Sequence, residues 1–319
     1  MRALVTGGAG FIGSHIVERL LRDGAHVSVL DDLSTGHLQN LSHVADSIAF
    51  FRGDVRSRSD VARAMVGADV VFHEAAVASV PQSILDPEGT FEVNVTGTLN
   101  VLIAARDESV KRLVFASSAA VYGDEPISPK HESLLPHPLS PYAVSKVTGE
   151  QLCAVFNDLF GVETVCLRYF NVYGPRQDPA SPYAAVVPLF MHALQTGHLP
   201  IIYGDGAQSR GFIYVGDVVE ANILASIVGG AAGHVINLGS TESITINEVL
   251  DVIEEETGIR VEPDHRPARI GEVRDSLADM SEAHRLLGFV PMISFADGVR
   301  STLGRPATTC FPPAASHVA

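Results

Sequence analysis

A tyrosine and a lysine stand four residues apart in SPYAVSK, Tyr142 and Lys146, directly after a proline. Proline suits the first turn of a helix, where its missing N–H costs nothing, so the spacing predicts two side chains leaving one helical face. An ammonium beside a phenol favours the phenolate, lowering the tyrosine from its ordinary ~10 towards a base that works near neutral pH. A partner hydroxyl is offered by SSAAVYG, residues 117–123, which follows the apolar run RLVFA. Ser118 then falls at the C-terminal end of a buried strand, the rim where open α/β sheets bind ligands. Its hydroxyl can share or relay a proton between a substrate oxygen and Tyr142. Ser117 reads as a strand-end hydroxyl, and Tyr122 is not the base because the helical lysine belongs to Tyr142.

A second site-forming stretch opens the chain. VTGGAGFIG places Gly7, Gly10 and Gly13, with Phe11 and Ile12, between a strand and a helix. Glycines there allow a tight turn and let backbone approach a diphosphate at the helix N-terminus. Asp31 ends the next strand, where a carboxylate can bond a ribose 2′-OH, and Asp32 follows it. Two acids would repel a 2′-phosphate, which favours NAD over NADP. Asp54 in FRGDV, beside Val55, could accept from an adenine amino group or serve as a helix cap.

These residues need a scaffold, and the chain supplies one. Short apolar strands (RALVT, HVSVL, IAFF, DVVFH, RLVFA and ETVCLRYF) alternate with helical stretches near 11–23, 57–66, 91–107 and 142–159. Strands without strict alternation suit a sheet buried on both faces, so the first half reads as doubly wound α/β. After residue 170 the rhythm breaks into a Pro/Gly/Tyr-rich loop and shorter elements, including helices near 185–196 and 217–229 and the strand HVINLG. Thr245 with Glu248 forms a capping box before another helix. The expected division is a nucleotide domain over 1–170, completed by segments near 212–238, and a smaller lobe over 171–303. The tail 304–319 is expected to be disordered.

Bulk properties narrow the partners. The 319 residues carry a formal charge of −15, which argues against nonspecific nucleic-acid binding. The three cysteines lack metal or disulfide spacing, no metal site is expected, and no run of about 18 charge-free apolar residues predicts a membrane span. No signal peptide is evident, so a cytoplasmic protein is expected.

Taken in order, TGGAGFIG, Asp31, HEAA, NVTGT, SSAAVYG, YAVSK and LRYFNVYGP resemble the extended short-chain dehydrogenase/reductase family. The resemblance covers about residues 1–303 and is strongest to its nucleotide-sugar 4-epimerases. It implies a Rossmann-like sheet with a C-terminal α/β substrate-binding lobe, and Ser118, Tyr142 and Lys146 as the catalytic group over bound NAD. It places His73, Ala75, Asn94 and Phe170 near the dinucleotide. A UDP-sugar substrate is implied, with Asn171, Arg210 and Arg269 on its diphosphate and Ser79, Val187, Ile202 and Ser276 around it. Helices near 91–107 and 142–159 would form a homodimer interface. Asp217 is expected to cap the helix that follows it, and Arg168 to pair with a buried carboxylate.

Two alanines choose among the family's reactions. Related dehydratases and decarboxylases place acids where this chain has Ala119 and Ala120, and neither alanine can move a proton. Hydride removal and return at a sugar carbon remains, as in a 4-epimerase; a reductase or a 4,6-dehydratase using another acid is the alternative. Ser276, where a tyrosine would narrow the pocket, leaves room for an N-acetyl group. Glu272 stands where the family usually has aspartate.

Overall fold

The computed structural model describes residues 1–179, 185–268 and 274–305. Its centre is a parallel sheet. Strands β1 (Arg2–Thr6), β2 (His26–Asp31), β3 (Ile48–Arg52), β4 (Val70–His73), β5 (Arg112–Ser118) and β6 (Glu163–Tyr169) are joined by an edge strand, Val235–Leu238. Their spatial order is edge–β6–β5–β4–β1–β2–β3, seven strands among the described residues. The order reverses between β1 and β4, the switch point at which such sheets open a crevice. The doubly wound reading and the Rossmann-like fold are therefore observed.

Helices cover both faces: α1 (Phe11–Arg22), α2 (Arg58–Met65), α3 (Val80–Leu85), α4 (Pro87–Phe91), α5 (Gly97–Asp107) and α6 (Pro141–Phe160). Successive β1 residues explain the unbroken apolar strands. Val5 packs with Ile16, Leu20 and Val218 on one face, whereas Leu4 packs with Met65, Leu102 and Phe156 on the other. Each fully buried side chain of this size stabilises by about 1.5–3 kcal/mol, so polar alternation would forfeit one layer. The sequence missed α3, which is only six residues long and begins with a serine cap, Ser79.

The smaller lobe has its own apolar centre, including Tyr173, Val187, Phe190, Ile202, Phe212, Val249 and Val299. Helix Ile246–Thr257 carries the expected capping box, with both Thr245 and Glu248 hydrogen bonds formed. Asp217 does not cap its helix, contrary to expectation. The helix starts at Val215, and the Asp217 carboxylate instead accepts from Met292 and Ile293 amides at 3.1 Å each, tying down the chain's last described segment. Of the tail 304–319, expected to be disordered, residues 306–319 lie outside the described residues.

Beneath β5 and β6 lies a buried ion pair. Arg168 Nε and Nη2 donate to Glu150 Oε1 and Oε2 at 2.9 and 2.8 Å, and both side chains are 4% exposed. Ser117 donates to the same carboxylate, and the Arg168 guanidinium lies 4.8 Å from the Tyr122 ring centre. Removing one member leaves the other charge buried without its counterion, a loss of about 3–5 kcal/mol. Glu150→Gln should lower unfolding stability by that amount in urea titrations. A change below about 1 kcal/mol would show that water reaches Arg168.

Candidate active site

The catalytic candidates meet because helix α6 lies unusually close to β5. A Cβ added to Gly149 would fall 2.3 Å from Phe115 Cζ, so only glycine admits this approach without displacement of the ring. Ser140 caps the helix, accepting from the Ala143 amide at 3.2 Å, and Pro141 occupies the first turn as the sequence predicts. Lys146 then reaches across to β5, its Nζ donating to the Ala116 carbonyl at 2.7 Å. Its ammonium stands 5.1 Å from the Phe115 ring centre and 5.7 Å from that of Tyr142. Ser118 ends β5 as expected, and its hydroxyl accepts from the Ala120 amide at 3.1 Å.

The electrostatics correct one expectation. Burial raises Tyr142 above its ordinary 10; a hydrogen bond with Ser118 counteracts this, and the Glu74 charge adds to the rise. Lys146 is not among the groups that shift the phenol; its ammonium is hydrogen-bonded to the Ala116 carbonyl. Burial lowers Lys146 to about 8, with Glu74 and Glu150 acting in the opposite direction. Spacing gave the shared helical face; desolvation, which no spacing reveals, set the sign.

Asn94 holds the frame around this pair. It lies in a single π-helical turn, Glu92–Thr96, set between α4 and α5. Such turns occur often at functional sites because they re-aim one side chain. Asn94 accepts from the Val77 amide at 2.8 Å, and its Nδ2 donates to the Val77 carbonyl at 3.0 Å and to Ser145 Oγ at 2.9 Å. One side chain thus clamps the loop after β4 to α6.

His73 is structural in its contacts. Thr98 donates its hydroxyl proton to the Asn94 carbonyl at 2.6 Å, so it must accept from His73 Nε2 at 2.9 Å. Nδ1 then accepts from Thr6 at 2.7 Å. Burial lowers this imidazole to about 3, consistent with a neutral ring between two threonines.

At the other end of the crevice, Gly7 has φ +68°, and a Cβ there would lie 2.7 Å from the Ala75 amide nitrogen. A Cβ on Gly13 would lie 2.3 Å from the Gly7 carbonyl oxygen. Helix α1 begins at Phe11 with Gly10 as its N-cap and no side chain capping it, leaving a bare backbone cradle suited to an anion. Asp31 closes the turn: its carboxylate accepts from Ala9 and Leu33 amides at 2.9 and 2.8 Å. Burial and then Asp32 raise its pKa, against these hydrogen bonds. Asp32 is exposed and accepts from Ser34 at 2.8 Å. These residues fit a dinucleotide: the cradle is one that a Cβ would fill, and the Asp31 carboxylate closes the turn beside it.

Other candidates are less direct. Asp54 is forked by Arg56, with Oδ2 accepting from Nε and Nη2 at 2.8 and 2.6 Å, which lowers its pKa. Val55 belongs to the core, as do Phe170, Val187 and Ile202, the last three 0–1% exposed. Phe170 packs in the core of the main sheet, and Val187 and Ile202 in the apolar centre of the smaller lobe. Ser79 caps α3 through the Gln82 amide at 3.1 Å.

Asn171 and Arg210 are brought together by the smaller lobe. Asn171 donates to the Gly211 carbonyl at 3.1 Å. Arg210 and Ser276 are paired neighbours in a small sheet formed by Ile244–Thr245, Ser209–Arg210 and Asp275–Ser276. Arg269 and Glu272 lie outside the described residues. Sequence reasoning passed over Glu74, although HEAA shows it: a carboxylate closing an apolar strand at the catalytic rim.

Comparison with known proteins agrees with this geometry. Residues 3–239 match the family described as NAD dependent epimerase/dehydratase. A UDP-glucose 4-epimerase of Mycolicibacterium smegmatis is 39% identical over 310 residues, covering 95% of this chain and 97% of the relative. The UDP-N-acetylglucosamine 4-epimerase from Methanobrevibacter ruminantium, solved in complex with UDP-N-acetylmuramic acid, superposes with a TM-score of 0.91 at 39% identity. The match covers 95% of this chain and 97% of that one. The UDP-glucose 4-epimerase of Thermus thermophilus, solved with NAD, superposes at 0.86 with 40% identity, covering 95% and 98%. The chain belongs to the NAD-dependent epimerase/dehydratase family.

The cradle is testable. Gly13→Ala should abolish dinucleotide binding, measured by chromatography of nucleotide released from the denatured protein, while circular dichroism stays unchanged. Retained nucleotide at wild-type stoichiometry would exclude this turn as the diphosphate site.

Proposed function

We propose that this protein is an NAD-dependent 4-epimerase of UDP-sugars, accepting UDP-GlcNAc/UDP-GalNAc as well as UDP-Glc/UDP-Gal. The supporting observation is the meeting of Tyr142, Lys146 and Ser118 at one strand end, beside a turn in which Ala119 and Ala120 offer no acid. Relatives carry the two substrate classes in their names: glucose in one set, N-acetylglucosamine in another.

Bound NAD would supply hydride acceptance and return at C4. The chain's own residues manage the proton and the geometry. Tyr142 Oη takes the C4 hydroxyl proton, with Ser118 Oγ sharing the hydrogen bond, and the sugar becomes a 4-keto species. Lys146 keeps a positive charge beside Tyr142 below its pKa of about 8, and would hold the nicotinamide ribose of bound NAD through its ammonium. The sugar turns about its diphosphate, which Asn171, Arg210 and Arg269 would hold through amide and planar guanidinium donors. Tyr142 then returns the proton on the other face. Asp31 would bond the adenosine ribose, with Gly7, Gly10 and Gly13 lining the diphosphate. No net redox change occurs, so the cofactor need not leave.

Substrate width rests on Ser276, a small residue beside Arg210 in the paired strands. The dimer implied by family resemblance fits the exposed apolar side chains on α3, α4 and α6, among them Ile84, Leu85, Phe91, Val144, Val155 and Leu159. A cytoplasmic setting belongs to the same proposal. No helix of the described residues is long and apolar enough to cross a membrane.

Purified protein, incubated without added nucleotide, should convert UDP-Glc and UDP-GlcNAc to their C4 epimers. No conversion of either, with NAD confirmed in the protein, would overturn the reading; a free keto or 4-keto-6-deoxy product would favour a reductase or dehydratase. Tyr142→Phe should lower kcat by about 10²–10⁴-fold. Ser276→Tyr should lower kcat/KM for the N-acetyl pair by about 10–100-fold while sparing the glucose pair. An equal loss for both pairs would remove Ser276 from specificity.

A further inference from the structure

Glu74 closes β4 at the catalytic rim, and proton transfer by Tyr142 and Ser118 leaves it without a task. Parallel register explains its company. His73 is level with Phe115 on β5, so Glu74 is level with Ala116, whose carbonyl receives Lys146; Tyr169 on β6 is level with Ser118. The carboxylate is fixed from that side. Asn222, on helix Val215–Ile227, donates to the Tyr169 hydroxyl at 2.9 Å, and Tyr169 donates to Glu74 Oε1 at 2.9 Å. The Glu74 amide donates to the Thr6 carbonyl at 3.1 Å, which anchors the backbone as well.

The charges around it are few. Of the charges on α6, that of Lys146 acts on Glu74, and the Glu74 charge acts in turn on Tyr142. Glu150, further along α6, is already matched by the Arg168 fork. His73, the preceding residue, is held between Thr6 and Thr98 and is neutral in the working range. Cys153, two turns further along the same face of α6, adds a small influence on Lys146, and Tyr169 reaches Glu74 as a hydrogen-bond donor.

We propose that Glu74 is a positioning residue for the Tyr142–Lys146 pair, its carboxylate fixed by Tyr169 so that Lys146 stays protonated and Tyr142 can return a proton as well as take it. The proposal rests on the 4-epimerase reading, in which one phenol must work in both directions. A base made too weak by its surroundings removes no proton, and one stripped of opposing charge gives none back. Burial brings Glu74 itself up to about 7, against the Tyr169 hydrogen bond and the Lys146 charge, so its negative charge is present above that pH and fades below it.

An ionised Glu74 raises both Tyr142 and Lys146, so its removal lowers both. Glu74→Gln keeps an acceptor for Tyr169 and deletes the charge. Above pH about 7, its Tyr142 phenolate should form about one pH unit lower than in the wild type. This is read from ultraviolet phenolate absorbance of the purified protein, with the matching Tyr142→Phe background subtracted. Both limbs of the kcat–pH profile should move down with it, and Glu74→Asp, which retains the charge, should restore the wild-type positions. Tyr169→Phe, a second handle should Glu74→Gln not fold, should move the Lys146 limb the same way by delaying ionisation of Glu74. Coincident titrations of Glu74→Gln and wild type, or an equal shift in Glu74→Asp, would overturn the proposal. The phenolate titration needs no turnover, so inactivity of the wild type on both UDP-sugars would sink the reaction reading and still leave Glu74 decided.

Discussion

Everything at the site depends on how closely α6 lies on β5. Glycine at 149 lets the Phe115 ring sit against the helix backbone, and that approach is what brings Lys146 Nζ to the Ala116 carbonyl. A bulkier residue would push the helix outward and carry Tyr142 away from Ser118 with it. The same contact is reinforced from both ends. Ser140 fixes where the helix begins, and Asn94 pins Ser145 to the loop after β4. The reacting groups are thus held by packing and backbone hydrogen bonds, which allow less drift than side-chain pairs on a loop would.

Burial sets the chemistry of the groups so held. Desolvation alone would leave Tyr142 a phenol and Lys146 a weak cation, because both charged forms lose water. The fold answers with charge placed at two depths. Beneath the sheet, Glu150 is satisfied by Arg168 and Ser117, so it anchors structure more than it acts on the rim. At the rim, Glu74 is bound by one neutral donor, Tyr169, and keeps its field available to the pair. Two buried carboxylates therefore differ in role through the charge of their partners.

The sequence made the sheet, its crossover helices and the glycine cradle legible because each rests on local pattern. Apolar runs, a glycine-rich turn between strand and helix, and a capping box are written within a dozen residues. Tyr142, Lys146 and Ser118 were legible for a similar reason: one helix and one strand end carry all three. What stayed hidden required a register between distant segments. Asp217 resembles a helix cap in sequence, yet its acceptors serve amides at 292 and 293, which only the folded lobe brings near. Phe170, Val187 and Ile202 sit close to the site in sequence logic, while their near-complete burial follows from three-dimensional packing. The raised pKa of Tyr142 and the company of Glu74 depend on dielectric and cross-strand register, and neither is a motif.

The smaller lobe separates recognition from reaction. Arg210 and Ser276 are far apart in sequence but adjacent in paired strands, so the cation proposed for a diphosphate and the small residue proposed for a sugar substituent share one edge. Tyr142 and Lys146 belong to a different element, the helix packed on the main sheet. A sugar tethered at its diphosphate and free at its ring can turn over between the two faces of a hydride donor, provided the tether and the proton carrier do not move together. Under the proposed reaction, anchoring at one lobe and proton transfer at the other would meet that condition. In the proposed 4-epimerase the size of the residue at 276 would alter which sugars can turn without altering how the proton moves.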